Sequence, residues 1–229
     1  MAFPYATALL AVPAAGAVAT AAIPASKEKA VRSFSIGVSL VALVLSAAML
    51  VDFDKGVAGY QFVESKVWIK PLGIHYLMGV DGISLFMIVL TGLLFPIAML
   101  ASTHISKRVN AYFALMLALE AALMGIFLSV DLFLFFVFWE AMLVPMYFLI
   151  GVWGYDRRVY AALKFFIYTA AGSALLLLGI LSLAVLHAKA PGANLTFDLR
   201  TLMAWKGLDP NTARWLFLAF GASFAIKVP

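Results

Sequence analysis

Residues 131–154 read DLFLFFVFWEAMLVPMYFLIGVWG, and Glu140 is the only charged residue between Leu132 and Trp153. A helix over that interval is about 33 Å long, which matches the hydrocarbon thickness of a lipid bilayer. Burying a carboxyl group at that depth costs at least a few kcal/mol, so it indicates a function. The stretch therefore predicts a membrane-spanning helix with one acidic side chain near its centre.

The composition of the whole chain is also that of a membrane protein. Of its 229 residues, 65% are hydrophobic and only 12% are charged, which is too little charge to cover a soluble domain. The lack of cysteine excludes a disulfide framework and any thiolate-bound metal or iron–sulfur site. A net charge of +5 would suggest a nucleic-acid partner in a soluble protein. Here the basic residues lie in loops, so we expect the lipid bilayer as a partner and no nucleic acid.

Apolar stretches of membrane-spanning length recur along the chain and predict an all-α, polytopic transmembrane helix bundle of about seven spans. The predicted spans cover residues 5–25, 34–51, 83–102, 111–130, 132–153, 165–186 and 215–229. The last is too short to cross a bilayer, so it is interpreted as a truncated or broken span. This divides the chain into two N-terminal helices (1–51), an external loop with a β-hairpin (52–82), and helices three to seven (83–229).

The two long loops have local patterns of their own. Residues 60–69 alternate and are rich in β-formers, residues 70–73 (KPLG) are typical of a turn, and residues 74–77 follow as a return strand. In the other loop, the apolar residues of 199–203 have helical spacing and predict a short amphipathic helix at the surface.

The short loops carry the basic residues that orient the chain in its membrane. They hold Lys27, Lys29, Arg32, Lys107, Arg108, Arg157, Arg158 and Lys164. By the positive-inside rule this side faces the cytoplasm, so the N-terminus lies outside. No basic residue precedes Tyr5, so we interpret the first span as a retained helix and not a cleaved signal peptide.

Four ionisable residues lie within or at the edge of predicted spans and are candidates for proton transfer. Glu140, Glu120 and Lys227 lie deep in theirs, and Lys164 lies near the cytoplasmic end of the sixth, where it could reach the interface. The alternatives are a structural ion pair for Glu140 and Lys227, a hydrogen-bonding role for Glu120, and an interfacial anchor for Lys164.

A carboxyl–ammonium pair of variable separation is a proton-affinity switch. Burial alone favours the neutral carboxyl, and a nearby positive charge favours the carboxylate. Pro145 lies five residues after Glu140 and leaves the carbonyl of Ala141 without its helical donor, which predicts a kink beside the carboxyl. Asp131 is interpreted mainly as a favourable charge at the N-terminus of the fifth span.

Four motifs resemble a known family. They are WEAMLVPMY at 139–147, KFFIYT at 164–169, FAIKVP at 224–229 and GVDGISL at 79–85. Over residues 60–229 the chain is similar to the chain M (chain-4 type) antiporter-like subunits of proton-pumping NADH:quinone oxidoreductase, respiratory complex I.

The resemblance implies a function and a site. It implies that Glu140 and Lys227 form the ion pair of a proton channel, with the seventh helix broken near the Lys. It implies a non-redox subunit of a proton-translocating enzyme in an energy-transducing membrane such as the bacterial inner membrane. This chain would bind no cofactor, with NADH, FMN, iron–sulfur clusters and quinone elsewhere in the complex. Its partners would be other membrane subunits, including sister antiporter-like subunits.

The chain also departs from the family pattern. Family members are about twice as long and contain two inverted repeats, of which this sequence matches the first in part. We therefore expect a fragment, a truncated gene product or one piece of a split subunit. Alternative functions are a related subunit of a multisubunit Na⁺/H⁺ antiporter or membrane-bound hydrogenase, and an inert scaffold.

Overall fold

The computed structural model describes residues 3–228 and is mainly helical, as the sequence predicts. Its helices and strands, in chain order, are α1 (Tyr5–Ala22), α2 (Glu28–Asp52), β1 (Gln61–Ile69), β2 (Ile74–Val80), α3 (Gly82–Ala101), α4 (Val109–Leu128), α5 (Leu132–Ala141), α6 (Leu143–Trp153), α7 (Arg158–Ala188), α8 (Leu199–Ala204) and α9 (Pro210–Lys227). Short 3₁₀ turns lie at Lys70–Leu72 and Ser102–His104.

Within the described residues, six helical segments are long and apolar enough to cross a membrane. Helices α5 and α6 together form one of them, Leu132–Trp153. Helix α9 is not among the six, because its first turns contain Asn211, Thr212 and Arg214. The predicted bundle is confirmed with six full spans and α9 as the incomplete seventh; Pro229, where the predicted last span ends, lies outside the described residues.

Two predicted helix boundaries were wrong in the same way. Helix α7 begins at Arg158 and not near residue 165, and α2 begins at Glu28 and not near residue 34. The prediction stopped at charged residues, whereas the helices continue past them toward the interface. Long basic side chains can extend to water from such positions while their backbone stays helical.

The first four helices pack into the best-buried part of the bundle. Helix α4 contacts α1, α2 and α3, and more of its length is buried than that of any other candidate span. Helices α6 and α9 pack against α7. Two clusters of core residues lie among α1 to α4. One, with Met49 and Met78, is beside the strands, and the other contains Met99 and Phe113.

The predicted β-hairpin is present. Strands β1 and β2 are antiparallel, and Gly73 at their turn has φ of 63°, a conformation that favours glycine. Residues 129–131 extend this pairing, since the Val130 N–H donates to the Leu77 carbonyl at 2.9 Å. Residues 197–199 pair in turn with residues 129–131. Next to this pairing, the Leu132 N–H donates to the Phe197 carbonyl at 2.8 Å. We refer to β1, β2 and residues 129–131 and 197–199 as the extended layer.

The extended layer also holds the start of the first helix. The Glu64 carboxylate of β1 accepts hydrogen bonds from the Ala6 N–H at 2.9 Å and from the N–H and hydroxyl of Thr7. Acceptors at a helix N-terminus satisfy N–H groups that have no partner within the helix. The start of α1 therefore lies on the same side of the bundle as the hairpin.

Two loop positions test this two-sided arrangement. Ala58 is exposed before the hairpin, and Tyr155, between α6 and α7, is 96% exposed. Because the chain has no cysteine, Ala58→Cys and Tyr155→Cys each introduce a single thiol. We expect a membrane-impermeant maleimide to label them from opposite sides of sealed vesicles. Labelling of both from one side would contradict the arrangement.

Candidate proton-transfer site

Asp131 begins the helix that carries Glu140. Its carboxylate accepts from the N–H groups of Phe133 at 2.9 Å, Leu134 at 3.0 Å and His75 at 3.0 Å. The first two cap α5, at whose N-terminus the sequence predicts a favourable charge, and the third, from β2, was not predicted. Asp131 is 0% exposed, and this burial raises its pKa although the three N–H donors act in the opposite direction.

The membrane span that contains Glu140 is interrupted directly after it. Helix α5 ends at Ala141 and α6 begins at Leu143, with Met142 between them. Pro145 has no N–H to donate to the Ala141 carbonyl, so the backbone loses a hydrogen bond at this point. Met142 keeps helical dihedral angles, so the span continues, with a local irregularity at the second residue after Glu140.

Glu140 is half-buried, and the surrounding protein leaves part of its carboxylate without a partner. Within the described residues, its Oε1 is inaccessible to solvent and has no hydrogen-bond partner. An unsatisfied buried acceptor is costly, so this oxygen is available for a partner that the described residues do not supply.

Lys227 reaches the same place from the end of α9. Its Nζ donates to the Trp139 carbonyl at 3.3 Å and lies 4.6 Å from the centroid of the Trp139 ring. Within the described residues, the only ion pairs closer than 4.0 Å are Arg32–Glu28 and Arg200–Asp198. The structure therefore places Lys227 beside Glu140, but on the neighbouring residue and not in a direct ion pair.

Small residues of α7 position the helix that carries Lys227. A Cβ atom on Gly172 would lie 2.7 Å from Cγ2 of Ile226, and one on Gly179 would lie 3.1 Å from the Phe220 ring. Glycine at both positions lets the two helices approach closely, as small residues do between membrane helices. Ser223, between these contacts, is 1% exposed.

Glu120 lies elsewhere in the bundle and has a different environment. It is 0% exposed in α4, and its Oε1 accepts from the Ser39 hydroxyl of α2 at 3.0 Å, while Oε2 has no partner in the described part of the chain. One turn before Ser39, the Ser35 hydroxyl lies 3.1 Å from that of Thr20 in α1. The sequence did not predict Ser39 as the partner of Glu120, although serines recur on one face of α2.

Lys164 does not join either carboxyl group. It is exposed on α7, two turns from the helix start, with its Nζ 6.0 Å from the centroid of the Tyr160 ring. This location matches the interfacial alternative better than a position in the path between Glu140 and Lys227. Across residues 3–228 there is no group of three or more His, Asp or Glu side chains that could hold a metal ion.

Two family models match the chain in succession. The amino-terminal model of NADH-ubiquinone oxidoreductase chain 4 matches residues 20–130, and the transmembrane model of NADH:quinone oxidoreductase and Mrp antiporters matches residues 129–229. The chain belongs to the chain 4 family of NADH:quinone oxidoreductase. This confirms the resemblance that the motifs of α5, α7 and α9 indicate.

Individual relatives agree with this membership. The NADH-quinone oxidoreductase subunit M of Rhodobacter capsulatus is 39% identical over 203 residues, covering 83% of this chain and 38% of that protein. Among solved structures, a chain of respiratory complex I from Thermus thermophilus has a TM-score of 0.83 at 24% identity, covering 98% of this chain and 44% of that one. A chain of the Mrp complex from Dietzia sp. DQ12-45-1b has a TM-score of 0.77 at 20% identity, covering 97% and 23%.

Because their sequence identities to this chain are below 25%, these solved structures support the fold alone. The chain spans less than half the length of the curated chain 4 relatives that it matches. Both inferences from the sequence, a membrane-embedded helix bundle and a partial match to longer proteins, are thus confirmed.

The packing of α9 on α7 gives a prediction with opposite signs at two glycines. Gly172→Ala should destabilise the protein by about 1–3 kcal/mol, because the new methyl group meets a stiff β-branched side chain. Gly221→Ala, on α9 where a Cβ meets nothing within 4 Å, should stabilise it by about 0.4–1 kcal/mol. Unfolding in detergent measures both. Equal effects of the two substitutions would contradict the close contact at Gly172.

Proposed function

We propose that this chain works in a proton-translocating membrane subunit of an NADH:quinone oxidoreductase, with Glu140 and Lys227 as its proton relay. The observation that carries the proposal is the location of the Lys227 ammonium next to Glu140, beside an irregular turn of a membrane helix. Membership in the chain 4 family supports the same assignment. Ionisable groups are rarely placed inside membranes without a function.

The chemistry of the relay depends on the separation of the two charges. An ammonium close to a buried carboxyl favours the carboxylate, and when the ammonium moves away, burial favours the protonated acid. Movement of Lys227 toward Glu140 therefore releases a proton from the carboxyl, and movement away lets it bind one. The helical hydrogen bonding is irregular at Met142. A movement of the helix near Glu140 therefore breaks few regular hydrogen bonds.

The energy for this movement comes from elsewhere. The chain has no cysteine, and we assign it no cofactor; NADH, FMN, iron–sulfur clusters and quinone belong to other subunits. Quinone reduction there drives the conformational change. Partners are the other membrane subunits, including sister antiporter-like ones. The membrane is the bacterial inner membrane, with the N-terminus and the extended layer outside and the basic loops inside.

A second candidate is the related subunit of a multisubunit Na⁺/H⁺ antiporter. The fold likeness to the Mrp complex favours it, as does the family model that includes Mrp antiporters. The copurifying subunits distinguish the two, because a dehydrogenase brings flavin and iron–sulfur proteins and an antiporter only membrane subunits. A membrane-bound hydrogenase would bring iron–sulfur proteins without NADH oxidation.

The relay is tested by neutralising its carboxyl group. Glu140→Gln keeps the shape of the side chain and should abolish proton pumping while the complex still assembles. Glu140→Asp keeps a titratable group and should retain part of the rate. Lys227→Ala should also impair pumping, because it removes the positive charge that favours the Glu140 carboxylate. The measurement is quinone-coupled proton uptake in vesicles with the assembled complex.

Normal pumping by an assembled Glu140→Gln variant would falsify the relay. It would favour the remaining alternative, in which the chain is an inert scaffold for its neighbours. Assembly is checked separately, from the amount of complex that copurifies with its flavin.

The effects of neutralising Glu120 and Glu140 on pumping can be ranked in the same vesicles. Its carboxyl already has one hydrogen bond, from Ser39, and no ammonium lies near it in the described structure. We expect Glu120→Gln to lower the pumping rate less than Glu140→Gln does, because Gln can accept the same bond. Ser39→Ala is the matched control for loss of that bond alone. A loss from Glu120→Gln as large as from Glu140→Gln would overturn the ranking.

A further inference from the structure

Trp139 makes two separate contacts with the Lys227 ammonium. Its carbonyl oxygen accepts at 3.3 Å, and its ring centroid lies 4.6 Å from Nζ. Trp139 is in the last turn of α5, where carbonyl groups at the helix C-terminus favour a cation. One residue thus supplies both a hydrogen-bond acceptor and an aromatic face to the same charge.

The Trp139 ring is itself held by other aromatic side chains. Its centroid lies 5.5 Å from those of Phe135, in the preceding turn, and Phe224, on α9. A cavity of about 620 Å³ beside it is lined mainly by apolar residues, including Leu176 and Phe220. Cation–π attraction is stronger for a partly desolvated cation, and the mainly apolar surroundings of Trp139 favour the contact with Lys227.

We infer that Trp139 is a positioning residue that forms a second binding site for the Lys227 ammonium and holds it apart from Glu140. This inference rests on the proposed relay and adds its resting state. In that state Lys227 lies on Trp139, and one Glu140 oxygen has no protein partner. In the other state the ammonium moves to the Glu140 carboxylate, the next residue along α5.

The two-site arrangement explains how a buried lysine can remain charged without a permanent ion pair. A direct Glu–Lys pair in low dielectric is slow to separate, because each charge loses its compensation. A carbonyl and an aromatic face compensate the ammonium without requiring a second ionised group. The two partners of Lys227 are adjacent residues of α5, so the ammonium can exchange between them without a large movement of α9.

The inference predicts a graded dependence on the electron density of the ring. Site-specific replacement of Trp139 by mono-, di- and trifluorotryptophan keeps its shape and weakens the face stepwise. The Lys227 ammonium then spends less time on the Trp139 ring and more time on Glu140. Proton uptake should therefore slow with each added fluorine. Trp139→Phe should lie between tryptophan and Trp139→Leu, and the Leu variant should lose roughly tenfold in rate.

Trp153 provides the matched control in the same protein. Its indole N–H donates to the Lys107 carbonyl at 2.8 Å and its ring packs on Tyr112, so fluorination there should leave the rate unchanged. A second readout does not depend on pumping. The fluorine NMR signal of 5-fluorotryptophan at position 139 should shift in the detergent-purified complex on Lys227→Gln, because the ammonium over its ring is lost.

Two outcomes would overturn the Trp139 site. One is a flat rate across the fluorinated series, and the other is an unchanged fluorine signal on Lys227→Gln. The rate series depends on the relay, which the Glu140→Gln variant tests in parallel vesicles, whereas the fluorine signal does not. A shifted fluorine signal together with normal pumping by Glu140→Gln would retain the Lys227–Trp139 contact and reject the relay.

Discussion

The hydrogen bonds of the buried Asp131 carboxylate are the interaction on which the positions of Glu140 and Lys227 depend. It accepts backbone N–H groups from β2 and from the first turn of α5, the helix that carries Glu140. The backbone of Asp131 also pairs with that of Asp198, the residue that precedes α8 and the chain leading to α9. A single junction outside the membrane span thus orients the helices of Glu140 and Lys227 relative to each other.

Inside the bundle, close packing between helices, and not an ion pair, fixes the position of α9. Helix α9 lies on α7 through Gly172 and Gly179, one on each side of Ser223 in the contact. Lipid offers no hydrophobic gain to drive helix association, so close van der Waals contact between small residues has to supply it. The ammonium of Lys227 is therefore delivered to α5 by packing, and its charge is then accommodated by Trp139.

The sequence predicts the parts of this arrangement that depend on local patterns. Apolar length predicts the spans, alternation and KPLG predict the hairpin, and Pro145 predicts the break beside Glu140. It does not predict that Ser39 meets Glu120 or that Lys227 meets Trp139. Those contacts depend on which faces of distant helices pack together. Close glycine contacts between helices determine these faces. Met203, which has amphipathic spacing, is 72% exposed, so even the short surface helix buries only Leu202.

The two membrane carboxyl groups differ in what surrounds them, and this difference separates their roles. Glu120 is enclosed by the first four helices, accepts from Ser39, and lies in regular helix on both sides. Glu140 is only half-buried and stands next to the irregular turn at Met142, although each of the two carboxyl groups has one oxygen without a partner in the described residues. A carboxyl group that gains and loses a proton needs a path for that proton and a counter-charge nearby, which makes Glu140 the stronger candidate of the two. Within the described residues, Lys227 reaches the residue next to Glu140, whereas Glu120 contacts a hydroxyl group and no cation.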